Sequence, residues 1–252
     1  MKLTDKTFWE SYYGKKRKPR IVQKSGYGII EKHLIEIFKE ILKQGSHLSY
    51  LELGCGDSRW IIYFKKFYGY EVWGVDYSDA GIKLIKDRLR FENIKANIVK
   101  NDFTKLGENF SEKFDIVSSF GVIEHFEDYN EIIKVFSSFL KKDGLLITGV
   151  PKLTGIQGKI QKVLDEEVFN KHIIIDKKDL KKVYEKNNLE VLELREIGLI
   201  SLGYNFRKRK LLKKIYRYYN WLGNRTMKWL LPFKIVDSLK IGSYFVVIGR
   251  KK

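Results

Sequence analysis

The chain has 252 residues, with 49 Lys and Arg against 31 Asp and Glu, and a formal net charge of +18. Its single cysteine, Cys55, excludes an internal disulfide, and no apolar run reaches the roughly 18 residues that a membrane span needs. A hydrophobic fraction of 44% is enough for one α/β domain with additions. These features predict a cytoplasmic protein.

The positive charge is unevenly distributed along the chain. Residues 29–196 are nearly neutral, with 27 basic and 28 acidic side chains, whereas residues 1–28 carry 8 basic and 2 acidic ones. Residues 197–236 carry 10 basic side chains and no acidic one. The excess of positive charge therefore lies outside residues 29–196. It predicts an anionic partner such as a lipid headgroup, a phosphorylated substrate or a nucleic acid.

Residues 1–28 are predicted to form an N-terminal arm that combines aromatic side chains with a basic run at 15–20. Pro19 disfavours a helix within that run. Residues 29–252 then form the main domain, which begins with an amphipathic helix over 29–44 that Gly45 ends.

A glycine-containing turn follows the first predicted strand, within residues 49–58 (SYLELGCGDS). Gly54, Cys55 and Gly56 turn the chain from the strand into a helix that opens near Ser58. Glycine lets a ligand approach the backbone where a Cβ would collide, and a helix N-terminus offers free N–H groups. Alone, the motif is equally typical of an ordinary tight turn, with Cys55 as a small filler.

Three later strands also end in acidic, glycine or aromatic residues. Because the carboxyl ends of parallel strands meet at one edge of a sheet, these ends are expected to form one ligand site with the glycine turn. An acidic residue after the second strand is placed to bind ribose hydroxyls. The ends are Asp76 after strand 70–75, Asp102 and Phe103 after strand 96–99, and Phe120 and Gly121 after strand 114–118.

The remaining pattern alternates helices with strands, which predicts a mostly parallel sheet covered on both faces. Predicted helices cover 58–68, 79–91, 129–140 and 179–187, and predicted strands cover 145–150, 189–194 and 244–248.

Two long connections interrupt this alternation. The first, 151–175, contains His172 and is expected to form part of the substrate pocket. The second, 198–240, is a basic amphipathic insertion before the last strand. Its stretch 207–231 is interpreted in three ways: a helix packed on the domain with a solvated basic face, a lid over the site, or a helix in contact with the inner membrane surface.

The ordered series LELGCGDS, GVDYSD, KNDF, FDIVSSFGVIEHFED and LKKDGLLITGVP resembles the class I S-adenosylmethionine-dependent methyltransferases. The resemblance spans roughly residues 30–195, and it is strongest to the branch acting on quinones, lipids, sugars and other small acceptors. It implies a doubly wound seven-stranded sheet with strand order 3-2-1-4-5-7-6 and an antiparallel last strand. It also implies the cofactor S-adenosyl-L-methionine.

The resemblance further assigns cofactor-binding residues. It implies that Glu52, Gly54 and Gly56, with Cys55 between the two glycines, line the methionine part, and that Asp76 binds the ribose hydroxyls. It places Tyr77 beside the adenine, Asp102 and Phe103 on the adenine amino group and ring, and Phe120 and Gly121 under the sulfonium. In related enzymes an N-terminal arm often folds over the cofactor. Trp9 and Tyr13 are therefore interpreted either as closing the site or as padding the sheet.

His125 is predicted to be the catalytic base, because it follows the fourth strand and a free histidine titrates near neutrality. The quinone O-methyltransferase branch uses a metal, with an acidic residue three positions before the glutamate of this Glu-His pair. Gly121 stands at that position here, so no metal site is predicted, although Glu124, His125 and Asp128 are potential ligands.

Three functions remain open on the sequence. The first is methylation of oxygen or nitrogen of a small, anionic or lipid-linked acceptor. The second is methylation of RNA or protein through the basic arm and insertion, although the Asn/Asp-Pro-Pro-aromatic pattern of base-methylating enzymes is absent. The third is cofactor binding without turnover, against which the intact glycine and acidic positions argue.

Overall fold

The computed structural model describes residues 2–14, 20–26, 28–43, 45, 47–199, 218 and 232–252. The amphipathic stretch 207–231, apart from Tyr218, and most of the basic run 15–20 lie outside the described residues. Among the described helices, none is both long and apolar enough to cross a bilayer. The division into an arm, a domain and two additions stays a prediction.

The described strands form one seven-stranded sheet with the order β3-β2-β1-β4-β5-β7-β6. Strand β7 runs antiparallel to both of its neighbours, and the other pairs are parallel. This topology confirms the predicted fold. The strands are β1 (Ser49–Leu53), β2 (Glu71–Asp76), β3 (Asn97–Lys100), β4 (Phe114–Phe120), β5 (Leu140–Pro151), β6 (Leu189–Ile197) and β7 (Tyr244–Lys251).

Helices connect the strands and cover the sheet. They are α1 (Lys6–Tyr13), α2 (Ile29–Ile41), α3 (Trp60–Tyr68), α4 (Asp79–Phe91), α5 (Tyr129–Ser138), α6 (Ile156–Leu164), α7 (Glu166–Phe169) and α8 (Lys177–Lys186), and a short helix Phe233–Ser238 precedes β7. Side-chain caps fix several of their starts. The hydroxyl of Ser78 accepts a hydrogen bond from Gly81 N at α4, and Asp176 accepts one from Asp179 N at α8.

Alternate residues of the strands pack into two separate cores. Tyr50 of β1 packs with α2, α3 and α4 on one face of the sheet, and Leu51 packs with α5 and α8 on the other. The same alternation holds in β4, where Ile116 and Val117 enter opposite cores. Because both faces are covered, the open edge at the carboxyl ends of the parallel strands is where a ligand can approach.

Several element ends differ from the predictions by two or three residues, among them those of β6 and β7, and three elements differ more. Strand β5 begins at Leu140, five residues before the predicted start, because Leu140 pairs with Phe114 before a register shift in the ladder. The connection 151–175 contains helices α6 and α7 in addition to loop. The arm includes a helix, α1, whose N-terminus Asp5 caps by accepting a hydrogen bond from Phe8 N.

Candidate functional site

Most of the predicted site residues line two neighbouring cavities at the carboxyl edge of the sheet, whereas Gly56 and Asp102 lie at its margin, where they contact Asp76 and Lys2, respectively. One cavity of about 60 Å³ is lined by Gly54, Asp76, Tyr77, Phe103, Phe120, Gly121 and His125. A more open cleft of about 300 Å³ is lined by Glu52, Gly54, Cys55 and Phe120. Gly54 and Phe120 line both, so the two cavities are halves of one site.

Two glycines with positive φ shape this edge. Gly54 has a φ of 73°, and a Cβ built there would lie 2.6 Å from Cγ2 of Val122. Gly121 has a φ of 71° and donates its N–H to the carbonyl of Gly149 at 2.9 Å. Since side-chain-bearing residues rarely adopt this conformation, glycine is required at both strand ends. The turns leave exposed backbone beside the cavities, as the Gly-x-Gly pattern predicted.

Asp76 lies at the end of β2 and is 5% exposed. Its two carboxylate oxygens accept hydrogen bonds from Gly56 N and Ser78 N, each at 2.8 Å. Burial raises the pKa of Asp76, and these two bonds oppose that rise. They also fix the carboxylate at the cavity wall, where each oxygen keeps a further lone pair for a ligand hydroxyl.

The N-terminal arm covers the predicted cofactor site. Tyr13 lines both cavities, and a Cβ built at Gly56 would collide with the Tyr13 hydroxyl. Lys2 Nζ lies 2.5 Å from a carboxylate oxygen of Asp102. Glu10 accepts hydrogen bonds from the backbone N–H groups of Asp79 and Ala80 at the start of α4. A drug-sized ligand needs a pocket of about 300–1,000 Å³, so the arm must shift before a nucleoside can fill the closed cavity.

The aromatic residues of the arm predicted Trp9 and Tyr13 as candidates for closing the site, but nothing in the sequence indicated Lys2 and Glu10. Burial works to raise the pKa of Asp102, yet hydrogen bonds from Lys2 and Thr104 bring it below its usual value. The Lys2 contact therefore keeps this carboxylate ionised. No pattern in the sequence pairs two residues that are 100 positions apart.

Two histidines lie together at one end of the closed cavity: His125 lines its wall, and His172 packs beside His125. His125 Nδ1 lies 2.7 Å from the carbonyl oxygen of Lys171, and His172 Nδ1 lies 2.6 Å from that of Val168. The two ring centroids are 4.6 Å apart. The ring of Trp9 stands edge-on to His125 at 5.2 Å, so the arm closes this end as well.

Burial changes the protonation expected for this end of the site. It lowers the pKa of His125 to about 4, with a further lowering from His172. The sequence-based expectation that His125 titrates near neutrality is therefore wrong, because the ring lies under Trp9 and the 151–175 connection. Burial also raises the pKa of Glu124 to about 8. At neutral pH His125 is a neutral imidazole with one nitrogen lone pair.

A family model described as a methyltransferase domain matches residues 28–194. The chain belongs to this methyltransferase family. The match covers the strands that carry the glycine turn, Asp76, Asp102 and His125, and the cofactor of the family is S-adenosylmethionine.

Two curated relatives share part of the chain. The ribosomal protein L11 methyltransferase of Caldicellulosiruptor bescii is 27% identical over 167 residues, which is 65% of this chain and 44% of that protein. The ribosomal protein L11 methyltransferase of Thermosipho africanus is 32% identical over 112 residues, which is 44% of this chain and 40% of that protein. The match thus spans under half the length of these relatives.

Among solved structures, the fold is similar to that of geranyl diphosphate C-methyltransferase from Streptomyces coelicolor A3(2). That structure, a complex with Mg²⁺, geranyl diphosphate and S-adenosyl-L-homocysteine, superposes with a TM-score of 0.61. It is 14% identical and covers 98% of this chain and 97% of that one. At 14% sequence identity, the structural similarity shows that the two proteins share a fold.

The chain's own residues fit the family's cofactor. The glycine turns leave backbone exposed, Asp76 offers oxygens to a hydroxyl pair, and Glu52 lies in the open cleft as a buried carboxyl near the position expected for the methionine part. Glu52 is 3% exposed and accepts hydrogen bonds from the hydroxyls of Ser58 and Tyr50. Burial nevertheless raises the pKa of Glu52 to about 8.

This pKa predicts pH-dependent cofactor binding. Below about pH 8 the Glu52 carboxyl is protonated in the free protein, and a ligand with an ammonium group binds the ionised form more tightly. Affinity for S-adenosylhomocysteine should therefore rise between pH 6 and 8, by up to about tenfold per pH unit. Calorimetry on the Glu52→Gln variant should give a flat profile over the same range. A wild-type profile as flat as that of the variant would show that Glu52 does not ionise on binding.

Proposed function

We propose that this protein transfers a methyl group from S-adenosylmethionine to an oxygen or nitrogen of a small acceptor, anionic or lipid-linked. The observation that carries the proposal is the enclosed end of the pocket, where His125 is 5% exposed beneath Trp9 and the cavity measures about 60 Å³. The arm must shift to admit the cofactor, and once Trp9 again covers His125 a folded protein or a duplex could not reach this end.

The chemistry follows from this enclosure. The cofactor supplies an activated methyl group: as the acceptor lone pair bonds to the methyl carbon, the sulfur–carbon bond breaks and its electron pair stays on sulfur. The chain's task is then to align the acceptor with the methyl carbon and exclude water, which is worth roughly 7–11 kcal/mol of the barrier. Trp9, Phe120 and Phe126 supply the apolar walls at this end.

His125 is proposed to act on the acceptor, since its lone pair lies at the enclosed end. His125→Ala should lower turnover by about 10²-fold, the low end of the usual contribution of a group that assists proton removal, because a histidine with a pKa of about 4 is a weak base. Cofactor affinity should stay within about threefold of wild type, because Asp76 and the glycine turns are untouched. Single-turnover kinetics and calorimetry measure the two quantities separately. A fully active variant would remove His125 from the site.

The acceptor class is tested by incubating the protein with methyl-labelled cofactor and fractionated cell extract. Label that appears in small molecules, as a mass gain of one methylene group, supports the proposal. Label in precipitated protein or RNA contradicts a small acceptor, and no transfer to any fraction favours cofactor binding without turnover.

A protein acceptor is the second candidate. The observation in its favour is that both curated relatives are ribosomal protein L11 methyltransferases. The match covers under half of each relative, so this chain would need its own surface to dock a protein. Label incorporated into ribosomal proteins of the extract would favour this candidate.

A further inference from the structure

Three potential metal ligands meet beside the enclosed end of the pocket, and one of them, His125, lines the cavity. One ligand-type atom from each of Glu124, His125 and His172 lies within 4.8 Å of the others. Glu124 is 2% exposed, His125 is 5% exposed, and His172 is half-buried. The first two come from the short 3-10 helix after β4, and the third comes from the connection after α7.

The hydrogen bonds of the two histidines fix their tautomers. A carbonyl oxygen can only accept, so the Nδ1 atoms of His125 and His172 both carry their proton toward the chain. Each Nε2 therefore bears a lone pair. Metal-binding histidines typically donate their other ring N–H to a backbone carbonyl in this way, which orients the ring and raises its basicity as a ligand.

The third group, Glu124, has an unmatched oxygen. Its Oε2 atom is buried and accepts no hydrogen bond, and Glu124 takes part in none of the ion pairs formed among the described residues. This oxygen belongs to the three-residue cluster whose ligand-type atoms lie within 4.8 Å of one another. A buried oxygen without a partner is unfavourable unless a proton or a cation lies beside it.

We propose that Glu124, His125 and His172 bind one divalent first-row transition metal ion, such as Zn²⁺, with a coordination position open to the pocket. Two histidines and one carboxylate form a ligand set that such ions take in catalytic sites, with the remaining position left for water or substrate. Mg²⁺ and Ca²⁺ prefer oxygen ligands throughout and fit this set poorly.

The proposal rests on the proposed function and sharpens it. The sequence predicted no metal, because Gly121 replaces the acidic residue of the quinone branch, and His172 now supplies the missing ligand from another segment. With a metal in place, His125 is a ligand and not a base. An acceptor hydroxyl that occupies the open position would have its pKa lowered by the ion, and its proton would pass to solvent water as the acceptor binds, before the arm closes. The acceptor is then a molecule with a hydroxyl or another oxygen that can coordinate the metal ion.

The test uses the full chain without a histidine tag, stripped with a chelator and titrated with Co²⁺. Wild type should bind one equivalent and show the visible bands of a low-symmetry Co²⁺ site, with the stoichiometry confirmed by elemental analysis. His172→Ala removes a direct ligand of the metal. Loss of an outer-shell partner alone weakens metal binding by up to about 100-fold, so this variant should weaken Co²⁺ binding by at least about 100-fold. His172→Cys keeps a ligand and should restore binding to within about tenfold of wild type.

His47→Ala is the matched control, since His47 is an exposed histidine far along the chain from this site, and it should bind Co²⁺ as wild type does. Glu124→Gln, which keeps the side-chain shape, should also lose Co²⁺ affinity. The proposal is overturned if wild type binds no stoichiometric Co²⁺, or if His172→Ala and Glu124→Gln bind it as tightly as wild type. Calorimetry with S-adenosylhomocysteine on each protein keeps the outcomes separate: Co²⁺ binding without cofactor binding would refute the proposed function alone.

Discussion

Asp76→Ala is expected to weaken S-adenosylhomocysteine binding by about 100-fold or more. The Asp76 carboxylate is held by Gly56 N and Ser78 N, with lone pairs left for two ribose hydroxyls. Hydrogen bonds to a charged group contribute about 1.5–3 kcal/mol each, so losing two costs at least about 3 kcal/mol. Isothermal titration calorimetry measures the change directly.

Asp87→Ala is the matched control for this prediction. It removes the same charge from helix α4, where the Asp87 side chain is 43% exposed and pairs with Arg90. Its affinity should equal that of wild type. An Asp76→Ala variant that binds within a factor of about three of wild type would refute the ribose assignment, because that change corresponds to less than 1 kcal/mol.

Tyr13→Ala is expected to speed cofactor association by about threefold to tenfold. Tyr13 stands between the two halves of the pocket and against Gly56, so it must leave before a nucleoside can span them. Tyr13 is half-buried. Full burial of a large apolar side chain contributes about 1.5–3 kcal/mol, so losing roughly half of that raises the population of the open arm by about threefold to tenfold. Stopped-flow fluorescence during S-adenosylhomocysteine binding gives the association rate.

Thr7→Ala provides the comparison for the arm. Thr7 lies on the same helix, is exposed and lines neither cavity, so its loss should leave the association rate close to that of wild type. Turnover of Tyr13→Ala should fall, because the same arm holds Trp9 over His125 and excludes water from the acceptor end. If the Tyr13 and Thr7 variants bind at the same rate as wild type, the arm does not control access.

The sheet and the cofactor edge were predictable from local sequence. The alternation of side chains along the strands produces the two cores. Gly54 and Gly121 have a positive φ, and glycine is the only residue type that adopts a positive φ freely. The acidic residue after β2 is likewise a local signal, because strand ends are set by the hydrophobic pattern. For these reasons most of the edge residues that the sequence singled out line neighbouring cavities, although Gly56 and Asp102 line neither.

The closed form of the site was not predictable from the same signals. Lys2 meets Asp102 and His172 meets His125 only through tertiary packing, and neither pair has a characteristic spacing along the chain. The protonation of His125 also depends on burial by Trp9 and the 151–175 connection, which sequence alone does not specify. The early start of β5 has a similar cause, since Leu140 joins the ladder through its partner Phe114.

A crystal structure of the full chain with S-adenosylhomocysteine tests the central claim most directly. The adenosine is expected beside Asp76, Tyr77 and Phe103, the amino-acid part in the cleft beside Glu52, and Tyr13 displaced from Gly56. Density for the ligand at another surface, or Tyr13 still seated on Gly56 with the ligand absent at saturating concentration, would contradict the account.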